Sequence, residues 1–314
     1  MKKQTLILAL LLIIAKAGIA QQDPQFSQYM FNQMSINPGY AGSADMICIT
    51  GINRQQWVGF EGAPSSTVFH ANAPIKPFGI NSGVGLTLIN DKAGFNDNLS
   101  ISATYAYRID IGEGKLGIGA NFGFLNQKLS PEWYIPTSDY HQQPSGDPLI
   151  PENDESVFVF DMGFGIYYNT NNLYIGISST HINEPNLSYT KGTPFIKRNY
   201  YLTAGYSFQL SNPLFEIIPS IQVVSDAATS SITFNTNVTY NKKFWGGVSY
   251  RAGSAIVGLI GLQIFNGVRF GYAYEFPTSD IIKSTSGSHE FMISYCFSVA
   301  GDRTAKKYKS IRFL

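Results

Sequence analysis

Leu99, Ile101, Ala103, Tyr105, Tyr107 and Ile109 alternate with Ser100, Ser102, Thr104, Ala106 and Arg108, so one stretch of backbone carries an apolar face and a mostly polar one. A period of two belongs to an extended strand standing between two different environments. The same period returns in about fourteen segments, near 45–52, 65–71, 82–90, 97–109, 115–127, 156–168, 172–180, 199–209, 215–224, 229–240, 243–250, 255–265, 268–275 and 288–298, with no amphipathic helical repeat between them. Thr170-Asn171-Asn172, Asn241-Lys242 and Asn266-Gly267 read as tight hairpin turns, whereas 128–155, 181–198 and 276–287 read as long polar or Pro-bearing loops. The pattern predicts antiparallel strands joined by turns, with short and long connections alternating.

Composition decides what surrounds those strands. Only 14% of residues are Asp, Glu, Lys or Arg, against about 25% in ordinary soluble domains. Such a chain has too few charges to coat a soluble globule. After residue 20 no segment approaches the length of apolar sequence that a spanning helix needs. A closed barrel satisfies both facts, because its lipid face must be apolar only at every second position and its backbone is fully paired. The expected fold is therefore all-β, a transmembrane antiparallel barrel of about fourteen strands. The formal net charge of +1 argues against nucleic acid as a partner and leaves outer-membrane lipid as the expected surrounding.

The first residues fit that location. Lys2 and Lys3 precede the apolar run Leu6 to Ala15, and Gly18-Ile19-Ala20 supplies small residues for signal-peptide cleavage, so residues 1–20 are expected to be removed and the mature chain to begin at Gln21. The apolar run is too short for a membrane span. In an outer-membrane barrel short turns face the periplasm and long loops face out, which puts both termini in the periplasm.

Other residues admit two readings each. Tyr167 and Tyr168, Tyr200 and Tyr201, Phe244 and Trp245, and Tyr272 and Tyr274 sit near strand ends and suggest aromatic girdles at the head groups; the competing reading is cross-strand packing. Gly117, Gly119, Gly123, Gly163 and Gly165 lie inside strands and suit curvature and close packing, since none opens a helix as a phosphate loop must. Cys48 falls in the first strand and Cys296 in the last, which are neighbours in a closed barrel, both on the lumenal parity. Either a seam-closing disulfide or two independent buried thiols fits.

Candidate chemistry is sparse. His70, His141, His181 and His289 show no metal-ligand spacing, and Asp147, Glu152, Asp154 and Glu155 lack the pattern of a calcium loop. Ser288-His289-Glu290 has the residue types of a hydrolase, but adjacent strand residues point to opposite faces, and no G-x-S-x-G elbow is present. No catalytic, cofactor or metal residue is assigned, and the chain reads as non-enzymatic.

Residues 21–44 follow neither period and contain Pro24 and Pro38, yet they are rich in aromatic residues and methionine. A segment of this composition packs against something: either the periplasmic mouth of its own barrel, as a plug, or a periplasmic partner. The run Asp23-Pro24-Gln25-Phe26-Ser27-Gln28-Tyr29-Met30-Phe31-Asn32, continued by Asn37-Pro38-Gly39-Tyr40-Ala41-Gly42, strongly resembles the opening of the PorP/SprF family of Bacteroidetes outer-membrane proteins. Arg54-Gln55-Gln56-Trp57, Gly62-Ala63-Pro64, Gly271-Tyr272-Ala273-Tyr274-Glu275, Gly287-Ser288-His289-Glu290 and the ending Ser310-Ile311-Arg312-Phe313 resemble later landmarks of that family. The organisation expected is a signal peptide at 1–20, an irregular segment at 21–44, a barrel at 45–298 and a basic periplasmic tail at 299–314.

The resemblance implies a barrel of the type IX secretion system and gliding machinery. It implies as partners a large secreted adhesin, whose export or surface attachment the barrel supports, and periplasmic components of the apparatus, including a peptidoglycan-binding protein. The long loops would meet the adhesin. The N-terminal segment, or the tail with Arg303, Lys306, Lys307, Lys309 and Arg312, would meet the periplasmic components; a solvated basic extension is the plain alternative for the tail. Two other functions also suit the pattern: a passive channel for small hydrophobic molecules, similar to the fatty-acid transporter family, and a secreted soluble β-sandwich adhesin.

Overall fold

A computed structural model describes residues 23–131, 153–264 and 267–298. The expected signal peptide and the tail residues Arg303, Lys306, Lys307, Lys309 and Arg312 lie outside the described residues, as do Asp147, Glu152 and Asn266.

Fifteen strand segments follow one another in antiparallel pairs: β1 (Ile47–Gln55), β2 (Ser65–Ile75), β3 (Ser82–Ala93), β4 (Asn96–Ile111), β5 (Gly114–Leu129), β6 (Glu155–Asn169), β7 (Leu173–Thr180), β8 (Asn199–Tyr206), β9 (Phe208–Gln209), β10 (Phe215–Ser225), β11 (Ser230–Tyr240), β12 (Phe244–Arg251), β13 (Ala255–Ile264), β14 (Val268–Pro277) and β15 (Ser288–Phe297). Both β8 and the two-residue β9 pair with β10, so together they make one wall strand broken at Ser207. Pairing of β1 with β15 and of β10 with β11 closes the ring, giving a barrel of fourteen wall strands with no free edge. All fourteen alternating segments read from the sequence become wall strands.

The two faces divide as the alternation requires. On β4, Leu99, Ile101, Tyr105 and Tyr107 are exposed on the outer face, whereas Thr104, Ala106 and Arg108 are buried on the inner one. No helix among the described residues is long and apolar enough to cross a membrane. Strict alternation corrects the aromatic girdles: Tyr168 and Tyr200 face outward, but Tyr167 and Tyr201 turn inward and are buried. Consecutive residues of one strand cannot both face lipid.

The connections 56–64, 130–154, 181–198 and 278–287 leave from one mouth of the barrel, here the long-loop mouth. Loops 56–64 and 278–287 are tied together there, with the Val58 amide donating to the Gly287 carbonyl at 2.8 Å and the Ser286 amide to the Val58 carbonyl at 2.8 Å. The same mouth also carries tight turns at 94–95, 226–229 and 252–254, so short and long connections do not strictly alternate along the chain.

Residues 23–46 do not sit in one mouth. They run inside the barrel from the long-loop mouth, where Asp23 meets Thr180 and Tyr201, past Ser220 and Thr203 at mid-height, to the short-turn mouth, where Asp45 pairs with Lys115 at 2.6 Å. This replaces the expected plug at the periplasmic mouth, because the segment finds polar partners along the whole inner wall. Among the described residues, 23 lies at the long-loop mouth and 298 at the short-turn mouth, so the two ends are on opposite sides of the barrel.

Candidate functional site: the filled lumen

Small residues let the segment in. Gly39 packs on β5 and β6 so closely that a Cβ on Gly117 would stand 2.1 Å from the Gly39 carbonyl oxygen; at Gly83 a Cβ would stand 2.0 Å from the carbonyl oxygen of Ala41. The in-strand glycines therefore make a bed for a second backbone. The segment pairs part of its own backbone in short 3-10 turns and one α-helical turn, at Tyr29–Phe31, Gln33–Ile36 and Pro38–Tyr40. Asn37 caps the last of these by accepting from the Gly39 amide at 2.9 Å, and its Nδ2 donates to the Ile166 carbonyl on β6 at 3.0 Å.

Near the long-loop mouth the segment closes a buried ion network. Arg54 on β1 donates to Glu275 on β14 at 2.9 Å and to Glu290 on β15 at 3.4 Å, and Arg251 on β12 reaches the same Glu275 at 2.9 Å. Two arginines balance two carboxylates. The segment supplies what they leave over: the amides of Ser27 and Gln28 both donate to Glu290, at 2.7 and 2.8 Å, and Ser27 Oγ accepts from Arg54 and donates to Glu275. A carboxylate holding two successive backbone amides and a guanidinium is a charge-assisted clamp. Beside it Phe26 enters an apolar cluster with Ile52, Val68 and Met292.

A second anchor holds the first described residue. Asp23 Oδ1 lies 2.8 Å from Nε2 of His181, whose Nδ1 lies 2.9 Å from Asp161; Asp23 Oδ2 accepts from Thr180 at 2.9 Å and from Tyr201 at 2.7 Å. Burial opposes charge on both partners, but two carboxylates around one ring outweigh it and push the His181 imidazolium up to about 10. Burial likewise works against the Asp23 carboxylate, yet the His181 charge and three hydrogen bonds bring it down to about 2.

Linkage fixes the pH window of this anchor. The Asp23 contribution is complete above the ordinary carboxylate value of 3.8 and is lost as pH falls through about 2; that of His181 is complete below 6.5 and is lost as pH rises through about 10. The segment's end should be held best between about pH 4 and 6.5. Hydrogen exchange of the amides of residues 23–28 is expected to be slowest there and to quicken toward pH 10, after correction for intrinsic exchange. In His181→Gln that alkaline acceleration should vanish; equal acceleration in both proteins would mean that His181 is not the titrating group.

Every described residue of the opening motif singled out from the sequence lies inside the barrel. Gln25 accepts from Ser231 at 3.1 Å, Tyr29 shares a 2.8 Å hydrogen bond with Ser220, Phe31 packs on Trp245 and Tyr40 on Tyr167, and the Gly42 amide donates to Asn72 at 3.2 Å. Pro24 lines a cavity of about 360 Å³ beside Asp23; Asn32 and Pro38 are buried. Cys48 and Cys296 face each other across the β1–β15 seam at a Cα separation of 4.1 Å, with their sulfurs bonded. Asp154 pairs with Lys128 at 2.6 Å and Glu155 accepts from the Thr190 amide at 2.7 Å. Ser288 and Glu290 point inward and His289 outward, so that run builds no hydrolase site.

Residue types alone did not single out Arg251, Asp161, His181 or Tyr201 as site members. Arg54, Glu275 and Glu290 carried a signal: each lies in a different one of the later landmark runs. The opening motif and three landmarks distant in sequence converge on one buried network.

No curated protein has a matching sequence. Among solved structures, the outer membrane protein Omp33 of Acinetobacter baumannii aligns with a TM-score of 0.48 and 8% identity, over 80% of this chain and 98% of that one. The toluene transporter TbuX of Ralstonia pickettii aligns with a TM-score of 0.43 and 14% identity, over 81% and 88%. Both are distant likenesses and carry nothing about function. Residues 18–295 match the family described as type IX secretion system membrane protein PorP/SprF, a match that spans the motif, the network and nearly the whole wall. The chain belongs to the PorP/SprF family of type IX secretion system membrane proteins.

Proposed function

We propose that this outer-membrane barrel works as a non-enzymatic scaffold of the type IX secretion system, supporting the export or surface attachment of a partner secreted adhesin. The observation that carries the reading is the course of residues 23–46, which run through the lumen from mouth to mouth and are held by ionic and hydrogen-bonded contacts to the wall. A barrel whose interior is occupied by its own chain offers surfaces rather than a passage. Those surfaces are the long loops at one mouth, among them the joined pair 56–64 and 278–287, and the turns at the other.

In this reading the long loops face outward and meet the adhesin. The short-turn mouth and the basic tail beyond residue 298 face the periplasm and meet components of the apparatus there, including a peptidoglycan-binding protein. The segment's own use of its aromatic side chains within the wall leaves the tail, with Arg303 and Lys306, as the better periplasmic contact. A passive channel for small hydrophobic molecules is the competing reading, and the filled lumen weighs against it.

Deletion of the gene tests the proposal. One large adhesin should disappear from the cell surface while other type IX cargo remains, and expression of the intact chain should restore it. Normal surface adhesin together with impaired uptake of a hydrophobic nutrient would favour the channel.

A further inference from the structure

The lumenal segment keeps to one side of the barrel near the short-turn mouth, where its residues 37–41 press on Gly83, Gly117, Gly119 and Gly165 of β3, β5 and β6. Across from it, between the β6–β7 hairpin and β14, lies a cavity of about 590 Å³. Such a volume is within the range of small-molecule sites, about 300–1,000 Å³. Turn residues Asn172 and Lys242 stand at its rim, and Phe31 and Ser220 at its inner end, where Ser220 is bonded to Tyr29 at 2.8 Å. The cavity is entered from the mouth and ends on the segment.

Glycines keep this space open. In three cross-strand pairs a glycine stands opposite an inward side chain of the lining: Gly205 opposite Tyr174, Gly247 opposite Asn237 and Gly261 opposite Trp245. A Cβ at these glycines would fall 2.3 Å from Tyr174, 1.9 Å from Asn237 and 2.0 Å from Trp245, so each side chain lies across its glycine along the wall. Tyr174 and Trp245 therefore line the cavity without filling it. Tyr167, nearly parallel to Tyr174 with ring centres 6.1 Å apart, extends one aromatic surface, and Phe31, 5.4 Å from Trp245, extends the other.

The lining also holds unmatched polar groups. Trp245 Nε1 and Asn237 Oδ1 are buried without a hydrogen-bond partner among the described residues, an arrangement that is costly unless something polar meets them. The Gln263 amide donates to the Lys243 carbonyl at 2.6 Å and Gln263 Oε1 accepts from Arg269 Nε at 3.2 Å, which sets Arg269 beside the turn that carries Lys242 and on the mouth side of Trp245. Neither cation pairs with a carboxylate among the described residues, and Glu216, the acid of the lining, accepts from Ser207.

We propose that this cavity binds an acidic saccharide, a pyranose ring lying on Trp245 with its carboxylate against Arg269 and Lys242. The polarised C–H groups of a pyranose face suit the negative face of an aromatic ring. The hydroxyls at its edge suit Asn237 and Thr239, and its carboxylate takes the guanidinium N–H groups that Gln263 leaves over. A wholly apolar ligand would leave the indole N–H, the amide and both cations unmatched. The site is additional to the scaffold role and does not rest on it.

Calorimetric titration of the intact protein in mild detergent tests the proposal, with N-acetylmuramic acid as the probe and N-acetylglucosamine, which lacks the lactyl carboxylate, as its neutral counterpart. The acid should bind saturably at one site, about tenfold more tightly than the neutral sugar. Arg269→Gln should weaken the acid by about tenfold and leave the neutral sugar unchanged, whereas Trp245→Leu should weaken both. Phe244→Leu, outward beside Trp245, should change neither. Heat-modifiable migration in a detergent gel verifies the fold of each variant; Trp245 also packs on the Phe26 cluster, so Arg269→Gln carries the test if Trp245→Leu fails to fold. No saturable binding of the acid, equal affinity for the two sugars, or an Arg269→Gln protein that binds the acid as the parent does would each overturn the proposal.

Discussion

Glu290→Ala is expected to destabilise the barrel by about 3–5 kcal/mol, the usual cost of leaving one charge of a buried ionic group unmatched. Removing this carboxylate leaves Arg54 and Arg251 sharing Glu275 alone, and it orphans the amides of Ser27 and Gln28. Each orphaned donor adds about 1–3 kcal/mol unless water reaches it. Water can reach them only if the segment lifts from the wall, so instability and undocking should appear together. The temperature at which heat-modifiable migration is lost should fall, and a thiol introduced by Ser27→Cys should become reactive to a maleimide only when Glu290 is absent. The bonded pair Cys48–Cys296 does not compete for the reagent. Glu290→Gln keeps one acceptor without the charge and should lie between the two. Glu61→Ala, on the exposed loop 56–64, should stay within about 0.5 kcal/mol of the parent. An unreactive thiol at position 27 in the Glu290→Ala protein would show that the clamp does not hold the segment.

The wall was legible from sequence because a strand between lipid and water writes its geometry at every second residue. Leu99 to Ile109 is the clearest case, and the outer and inner faces of β4 follow it residue by residue. The parity of Cys48 and Cys296 was legible for the same reason, and the register brings them face to face. The lumen was less so. A residue facing a water-filled bore and one facing a packed segment obey the same parity, and nothing local marks Thr203 and Ser220 on the inner face as partners of Gln33 and Tyr29. Tyr167 and Tyr201 misled in the opposite direction: an aromatic near a strand end suits the head groups as well as it suits a buried neighbour, and only their inward parity distinguishes the two. The segment itself has no period, so its aromatic content could say that it packs but not where. Its path through the whole lumen follows from partners scattered from Arg54 to Glu290, a set that no local pattern connects.

Removal of residues 23–45 is expected to turn a closed barrel into a conducting one. Barrels of about eight strands are filled by their own side chains, whereas those of 16–18 leave an aqueous channel; fourteen strands lie close to the second case and need a filler. Over part of the segment's path the inner wall offers no filling of its own, since Gly83, Gly85, Gly117, Gly119 and Gly165 present no side chains there. Much of what remains around that path is polar, with Thr50, Ser66, Asn72, Thr104 and Asn235 on the inner face, so water rather than collapse should fill the space. In planar bilayers the intact protein should show no steady conductance, and the deletion variant a large and stable one. A synthetic peptide of residues 23–45 added to the side of the long-loop mouth should reduce it, because Tyr201, Glu290 and the Ile166 carbonyl, the partners of Asp23, Ser27 and Asn37, remain in the wall to receive the peptide. Steady conductance by the intact protein would show that the segment leaves a passage and would restore the channel reading. A deletion variant that folds but does not conduct would mean that the wall closes on itself, and the segment would then be a passenger in the lumen rather than its filling.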